Sequence, residues 1–360
     1  MSSSARPRRR WALRLVASAV VTVGLLWALT REFRAIPDDL SVPGWTIPTY
    51  VAIVFACYFT RIGRWLFLLQ PLGRVPVGVG FAAGLAGTMW IAVLPWRLGE
   101  LARPLILTQN SDLRFGPILG TVALERVMDG LFVCGLFFTS LALTEPLPGH
   151  APIRAASVGV VALFSGALVV LLAMARWPRV LSGVIERTVG RVAPGLARTL
   201  AGLASGIAAG LQALPSIRPF ALFLLAASAY WALNALGMWV LARGCGIPLS
   251  PWETVAVMAM INLALLIPGP PAQLGTFHLG VLTGLSFYHA HALVDGPGVV
   301  YAFYLYACQM ATITALGLAS HLRLRLDITG FGRALVEGEA GLDGDMSQES
   351  ARDASDGKPR

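Results

Sequence analysis

Charged side chains are scarce in this chain: Asp, Glu, Lys and Arg make up 13% of its 360 residues. An ordinary soluble domain carries roughly 25%. Lysine is almost missing, since it occurs only at Lys358. The scarcity argues against a soluble domain. The net charge of +9 is nearly all arginine held in particular loops, which argues against nucleic acid as a partner.

Cysteine is also scarce, and the spacing of the cysteines does not fit a metal site. The four cysteines lie far apart, and none has the C-x-x-C spacing of a zinc or redox motif. The sequence therefore predicts no disulfide framework, no metal site and no cofactor.

Apolar residues, in contrast, make up 56% of the chain and give a mean hydropathy of +0.68. They come in runs of about twenty, the length needed to cross a hydrocarbon core of roughly 30 Å. This pattern predicts an all-α polytopic membrane protein with about six full transmembrane helices. The predicted spans are Trp11 to Thr30, Thr46 to Leu69, 116–143, a run between 154 and 176, Phe220 to Leu241, and Val299 to Ala319.

The distribution of arginine predicts the orientation of these spans. Cytoplasmic loops carry the excess of positive charge, and arginines cluster at residues 6–10, at 176–218 and at 323–325. The chain is therefore expected in the cell (inner or plasma) membrane with both termini cytoplasmic. We expect one transmembrane domain over 1–326, with halves at 46–176 and 217–320 joined by a basic amphipathic segment at 177–216. The acidic stretch 327–360 is expected to be a disordered tail.

Two segments do not fit simple crossings. Given these orientations, 75–110 must enter and leave on the cytoplasmic side, and 252–292 must enter and leave on the outside. Each has an apolar arm, a break at proline or glycine, and a short return arm. Broken hairpins that open to opposite faces are typical of an inverted repeat with a binding site near the midplane. Residues 95–100 and 271–276, which lie at these breaks, are identical at three of six positions.

The strongest group of candidate site residues is charged and lies in the first half. A charge in hydrocarbon costs roughly 2.5–3.5 kcal/mol on insertion scales, so ionisable residues in spans are functional candidates. Glu125 and Asp129 are four residues apart and share a helix face. The group consists of Arg97, Glu100 and Arg103 with Glu125, Arg126 and Asp129. The alternative interpretation is a salt-bridge lattice that only holds the hairpin in place.

Arginine presents a planar fork suited to phosphate. Arg97, Arg103 and Arg126 are therefore predicted to bind the headgroup of an anionic lipid. Glu100, Glu125, Asp129 and His278 are predicted to orient those arginines or to couple transport to protons; the sequence does not choose between these roles. The predicted gating residues of the two hairpins are Gly99, Pro268, Gly269 and Gly275.

Secondary candidates lie around this group. In the second half they are Asn262, Gln273 and Tyr304, of which Tyr304 is also explained by packing. Arg61 and Arg64 end the second span, and snorkelling to lipid headgroups explains them as well as a site does.

Taken together, these motifs resemble the lysylphosphatidylglycerol synthase transmembrane region, or flippase-like domain, family. The matching residues are Arg61-x-x-Arg64-Trp65, Arg97-x-Gly99-Glu100-x-x-Arg103, Glu125-Arg126-x-x-Asp129, Pro268-Gly269 and Leu274-Gly275-Thr276-Phe277-His278. The resemblance implies the handling of lipids such as aminoacylated phosphatidylglycerol or polyprenyl-linked sugars. Fused transferase domains of that family would not fit in the 34 residues after Leu326, so the chain is expected not to be an enzyme.

The first hypothesis is therefore a lipid flippase or transporter that binds an anionic or prenyl-linked lipid in a midplane cavity. The second is a membrane scaffold that recruits an envelope glycosyltransferase or a lipid-synthesis enzyme. The third is a polyprenyl-phosphate-dependent membrane enzyme, for which Asp38 and Asp39 are the supporting acids.

Overall fold

The computed structural model describes residues 42–93, 99–147, 151–177, 217–266, 271–273, 275–289 and 291–324, with short pieces between 183 and 212. The predicted span from Trp11 to Thr30, the acidic pair Asp38 and Asp39, most of the basic segment 177–216 and the tail 327–360 lie outside these residues. So do Arg97, Pro268 and Gly269.

The described residues form helices and no strands. The helices are α1 (Thr46–Leu69), α2 (Val77–Val93), α3 (Ala102–Gln109), α4 (Phe115–Leu143), α5 (Ala151–Arg176), α6 (Ile217–Gly244), α7 (Pro251–Ala264), α8 (Thr276–Ser286), α9 (His291–Asp295) and α10 (Pro297–Leu324). Five of them, α1, α4, α5, α6 and α10, are long and apolar enough to cross a membrane. The protein is thus an all-helical, multi-pass membrane protein.

The shorter helices form two antiparallel pairs. In the first pair, a Cβ on Gly87 would lie 2.9 Å from the backbone nitrogen of Arg103, while Gly99 lies against the backbone of Trp90. In the second pair, a Cβ on Gly280 would lie 2.7 Å from the Cα of Ile261, and Gly284 faces Val257. In each pair, residues later in the first helix contact residues earlier in the second segment. Helices α2 and α3 are therefore antiparallel, as are α7 and α8.

The two halves pack against each other through α1 and α6. A Cβ on Gly237 would lie 3.0 Å from Ile53, and Gly244 lies against Thr46. These helices are therefore also antiparallel. Hydrocarbon gives helices no hydrophobic reason to associate, so close backbone approach at small residues supplies much of the contact.

Most of the other contacts come in matching sets, and the contact of α1 with α10 is an exception. Helix α2 packs against α10, and α7 packs against α4; α3 packs against α4, and α8 packs against α10. Helix α1 also contacts α2 and α4, just as α6 contacts α7 and α10. Helix α5 lies at the periphery, with much of its surface exposed, including Val158, Leu163, Val169 and Leu172. The interior is consequently built by both sets of helices, with α2 against α10 and α4 against α7.

Candidate functional site

The centre of the site is Arg64, near the end of α1. It is 0% exposed, and its Nη1 and Nη2 donate to the two carboxylate oxygens of Asp129, each over 2.6 Å. Nη2 also lies 3.1 Å from Oε1 of Glu125. Because Glu125 and Asp129 are one turn apart on α4, both carboxylates reach the same guanidinium. This confirms that they share a helix face.

Glu125 extends this ion pair to the first hairpin. Its second oxygen accepts from Nη1 of Arg103 over 2.8 Å, and both side chains are fully buried. Nη2 of Arg103 lies 3.3 Å from Oγ1 of Thr88 on α2. We call the four charged residues Arg64, Arg103, Glu125 and Asp129 the buried lattice; it joins α1, α3 and α4.

Aromatic rings surround the buried lattice. The guanidinium carbon of Arg64 lies 4.7 Å from the ring centre of Tyr230 on α6. That of Arg103 lies 5.4 Å from the ring of Trp65, whose Nε1 donates to Thr121 over 3.1 Å. Such cation–π contacts are stronger where water is excluded. The rings thus complete the shell around the two buried cations.

Arg126 is held more loosely than the two buried arginines. Its side chain is 27% exposed, and its Nε lies 3.1 Å from Oε2 of Glu100. Among the described residues neither atom has a hydrogen-bond partner, and the same holds for Nη2 of Arg126. Oε1 of Glu125 lies 3.8 Å from Nη2 of Arg126, and Oδ2 of Asp129 lies 3.9 Å from its Nη1. Arg126 therefore keeps unused hydrogen-bonding capacity.

Arg61 lies one turn before Arg64 and faces the same space as Arg126. Its Nη1 lies 3.3 Å from the hydroxyl of Tyr230, and its Nε has no hydrogen-bond partner within the described part of the chain. Across the described part of the site, four arginines face three carboxylates (Arg61, Arg64, Arg103 and Arg126 with Glu100, Glu125 and Asp129). The described site therefore carries one excess positive charge.

Two cavities meet at these charges. The first, which we call the polar cavity, has a volume of about 150 Å³ and reaches from α1 to the second hairpin. The second, the apolar cavity, has a volume of about 330 Å³ and extends along α4 to Phe164 on α5. Both are lined by Arg61, Glu100, Arg126 and Asn262. A mostly polar space and a mostly apolar one thus share a charged boundary.

The predicted headgroup-binding arginines fall into different places. Arg126 lines both cavities. Arg103 does not contact either cavity, because its side chain is fully buried and committed to Glu125 and Thr88. The prediction that Arg103 binds the headgroup directly is therefore corrected: its side chain belongs to the buried lattice. Arg97 lies outside the described residues.

The secondary arginines are more central than expected. Snorkelling of Arg64 is wrong, because no part of its side chain reaches the surface. The sequence also missed the residues opposite it. Tyr230 and Asn234, four apart on α6, line the polar cavity with Tyr58. Two polar residues at that spacing on an apolar span were a signal that could have found them.

Residues of the second hairpin only partly join the site. Asn262 and Gln273 line the polar cavity. His278 is buried beside Tyr306, with ring centres 5.1 Å apart, and neither ring nitrogen has a hydrogen-bond partner among the described residues. It has no contact with the lattice carboxylates.

Two of the predicted hairpin glycines, Gly99 and Gly275, and the remaining tyrosine, Tyr304, lie at described positions. Gly99 is buried where a Cβ would meet the backbone of Trp90 and Ile91. Gly275 has φ +85° just before α8. Tyr304 lies with its ring centre 5.5 Å from that of Phe303. Within the described ranges, no group of three or more His, Cys, Asp or Glu residues lies close enough to hold a metal ion.

Comparison with known proteins gives two matches. Residues 13–317 match the family model described as Lysylphosphatidylglycerol synthase TM region. The chain is also 26% identical over 361 residues to Glycosyltransferase AglD of Haloferax volcanii, covering 90% of this chain and 56% of that protein. The chain thus spans little more than half the length of this relative. No solved structure gives a significant match.

The relative corrects one expectation from the sequence. The chain was expected not to be an enzyme, because a fused transferase domain would not fit after Leu326. A protein that matches 90% of the chain is named a glycosyltransferase, so that expectation is wrong.

Proposed function

The chain belongs to the lysylphosphatidylglycerol synthase TM region family, and we propose that it binds the phosphate of an anionic lipid between Arg61 and Arg126 and moves the lipid between leaflets. The match over residues 13–317 confirms the family resemblance carried by the motifs. The observation that carries the proposal is the excess positive charge at the boundary of a polar and an apolar cavity.

Phosphate suits the two half-buried arginines, Arg61 and Arg126, better than the fully buried ones. Arg61 and Arg126 line the shared boundary, and each keeps nitrogens without a hydrogen-bond partner in the described ranges. Arginine binds phosphate through several parallel N–H donors and stays charged when water is removed. Glu100, the loosely paired partner of Arg126, would be displaced by an entering phosphate, while the buried lattice keeps α4 fixed.

The apolar cavity supplies a place for the lipid chain. It is lined by Leu119, Val133 and Phe164 and lies between α4 and the peripheral helix α5. The exposed surface of α5 is almost entirely apolar, as expected of a helix that faces acyl chains. A lipid could then place its phosphate at the boundary and its chains beside α5.

The helix pairs α2/α3 and α7/α8 are proposed to be re-entrant hairpins. Their helices have 17, 8, 14 and 11 residues, whereas a full crossing needs about 20. Exchange of α1–α4 with α6, α7, α8 and α10 reproduces most of the helix contacts; the contact of α1 with α10 is the exception. Because α1 and α6 are antiparallel, the axis relating the halves would lie in the membrane plane, which supports an inverted repeat.

The proposed placement is the cell membrane with both termini cytoplasmic, as the arginine distribution predicts. The transmembrane domain would then cover 1–326, and the two hairpins would open to opposite faces. Glu100 of one hairpin and Gln273 of the other both line the polar cavity. Movement of either hairpin would change access to the charged boundary from one leaflet.

The test uses the full-length protein in two assays. Native mass spectrometry measures retained phosphatidylglycerol, and dithionite quenching measures translocation of its fluorescent analogue in phosphatidylcholine proteoliposomes. A hydrogen bond to a charged group contributes about 1.5–3 kcal/mol. Arg126→Gln should therefore lower retention about 10- to 100-fold and abolish translocation. Arg218→Gln, at an exposed site on α6, is the matched control.

Equal retention and translocation by the wild type, Arg126→Gln and Arg218→Gln would overturn the proposal. The boundary charges would then serve only to hold α4 and the first hairpin together.

A second candidate function is glycosyl transfer to or from a lipid phosphate. The name of the relative favours it, and the same arginines would hold the lipid phosphate. The acids of the first loop would be needed, so Asp38→Asn and Asp39→Asn should then abolish sugar transfer by purified protein supplied with polyprenyl phosphate and a nucleoside-diphosphate sugar, from which the nucleoside diphosphate leaves. If both variants transferred sugar as well as the wild type, Asp38 and Asp39 would no longer support this function.

A further inference from the structure

The polar cavity extends past Arg61 and Arg126, so it has room for a group attached to the phosphate. Tyr58, Tyr230, Asn234 and Gln309 line it on this side. A smaller space of about 60 Å³ prolongs it along α1 to Tyr50. The lining thus offers phenol and amide groups, which are neutral and both donate and accept hydrogen bonds.

Hydrogen bonds fix part of this lining. Nε2 of Gln309 donates to the hydroxyl of Tyr50 over 3.0 Å, and the hydroxyl of Tyr58 lies 3.3 Å from the carbonyl of Gln309. Asn234, in contrast, has no hydrogen bond to the described residues. Its side chain therefore presents an unused donor and acceptor to the cavity, beside a rigid aromatic wall.

Carboxylates are scarce in the same lining. Glu100 is the only acid among the described residues around the polar cavity, and it lies beside Arg126. A cationic group placed beyond Arg61 would meet no counter-charge and would be repelled by the arginine. Desolvating an unpaired charge is expensive.

From these observations we propose that the lipid carries an uncharged, hydroxyl-rich group on its phosphate, such as a hexose or another polyol, and that the cavity disfavours a cationic aminoacyl headgroup. The polyol hydroxyls bind Asn234 and the tyrosine hydroxyls, and the phosphate stays at Arg61 and Arg126. The inference rests on the proposed function, since it assigns the part of the ligand beyond the phosphate.

The experiment compares lipids that share acyl chains and a phosphodiester. Full-length protein in phosphatidylcholine vesicles is offered phosphatidylinositol, phosphatidylglycerol or lysyl-phosphatidylglycerol, and the retained lipid is counted by native mass spectrometry. We expect phosphatidylinositol to be retained at least 10-fold better than lysyl-phosphatidylglycerol, with phosphatidylglycerol in between. Soluble inositol phosphate is the competitor that tests whether the lipid chains are needed.

Asn234→Asp is the deciding variant, because it adds a carboxylate at almost constant shape. It should lower the preference for phosphatidylinositol over lysyl-phosphatidylglycerol at least 10-fold. Asn110→Asp is the matched control: Asn110 follows α3 and donates to the carbonyl of Ile106, away from the cavity. The control should keep the preference of the wild type.

The outcomes separate the two proposals. Equal retention of all three lipids, lost in Arg126→Gln, would overturn the polyol inference and leave the proposed function standing. An unchanged preference in Asn234→Asp would also overturn it. Retention that survives Arg126→Gln would overturn the proposed function itself. Displacement of lipid by an equal concentration of inositol phosphate would assign the cavity to a soluble ligand.

Discussion

Glu125 is the residue whose loss the structure predicts most sharply. Its two oxygens accept from Arg64 over 3.1 Å and from Arg103 over 2.8 Å, and all three side chains are fully buried. Glu125→Gln keeps the shape of the side chain but removes its charge. Arg64 would still be compensated by Asp129, whereas Arg103 would lose its carboxylate and keep only neutral neighbours, the hydroxyl of Thr88 and the ring of Trp65.

The size of the effect follows from this difference. Removing one partner of a buried ion pair costs about 3–5 kcal/mol, because the other charge stays behind without compensation. The free energy of unfolding of Glu125→Gln should fall by about that amount. Adding Arg103→Met removes the stranded cation, so the double variant should be more stable than Glu125→Gln alone. The coupling between the two positions should reach about 2–3 kcal/mol.

The assay is unfolding of the purified protein in mixed detergent micelles, followed by the fluorescence of its 10 tryptophans. Glu253→Gln is the matched control. Glu253 forms a capping box with Ser250 at the start of α7, a role that glutamine also performs. A loss below about 1 kcal/mol in Glu125→Gln, or no gain from Arg103→Met, would refute the account of the lattice.

The same unfolding assay checks three further predictions. Gly280→Ala should cost about 1–3 kcal/mol by forcing α8 from the backbone of α7, whereas Gly166→Ala, in open space on α5, should gain about 0.5–1 kcal/mol; the same sign for both would contradict the packing. Ser250→Ala should cost about 1 kcal/mol through the lost cap, and no change would show that the cap is dispensable. Trp90→Phe should cost about 1–3 kcal/mol because it strands Nε2 of His321, now 2.9 Å from the indole nitrogen; a neutral result would mean that this bond contributes nothing.

The spans were predictable because the membrane sets their length. The predicted spans Thr46 to Leu69 and 116–143 agree with α1 and α4 within a residue at each end. The proline and glycine breaks also located the two antiparallel helix pairs. Full crossings and re-entrant arms, however, differ by only a few residues, so hydropathy does not decide between them for the 17 residues of α2.

The site was predictable in composition but not in exposure. Helical spacing placed Glu125 and Asp129 on one face, and their common partner Arg64 confirms it. Arginine is always charged, so the sequence alone did not distinguish a buried structural arginine such as Arg64 from a cavity-lining one such as Arg61. Arg61 and Arg64 are one turn apart, and the packing of both α4 and α6 against α1 makes the second inaccessible.

The separation of Arg64 from its acids has a consequence for biogenesis. Asp129 follows Arg64 by 65 positions, and chains grow at about 5–20 residues per second. Arg64 therefore leaves the ribosome about 3–13 s before the carboxylate that neutralises it. During that interval α1 carries an uncompensated charge that is costly in lipid. We expect α1 to stay beside the protein-lined insertion machinery until α4 arrives, and the two helices to enter the bilayer as a pair.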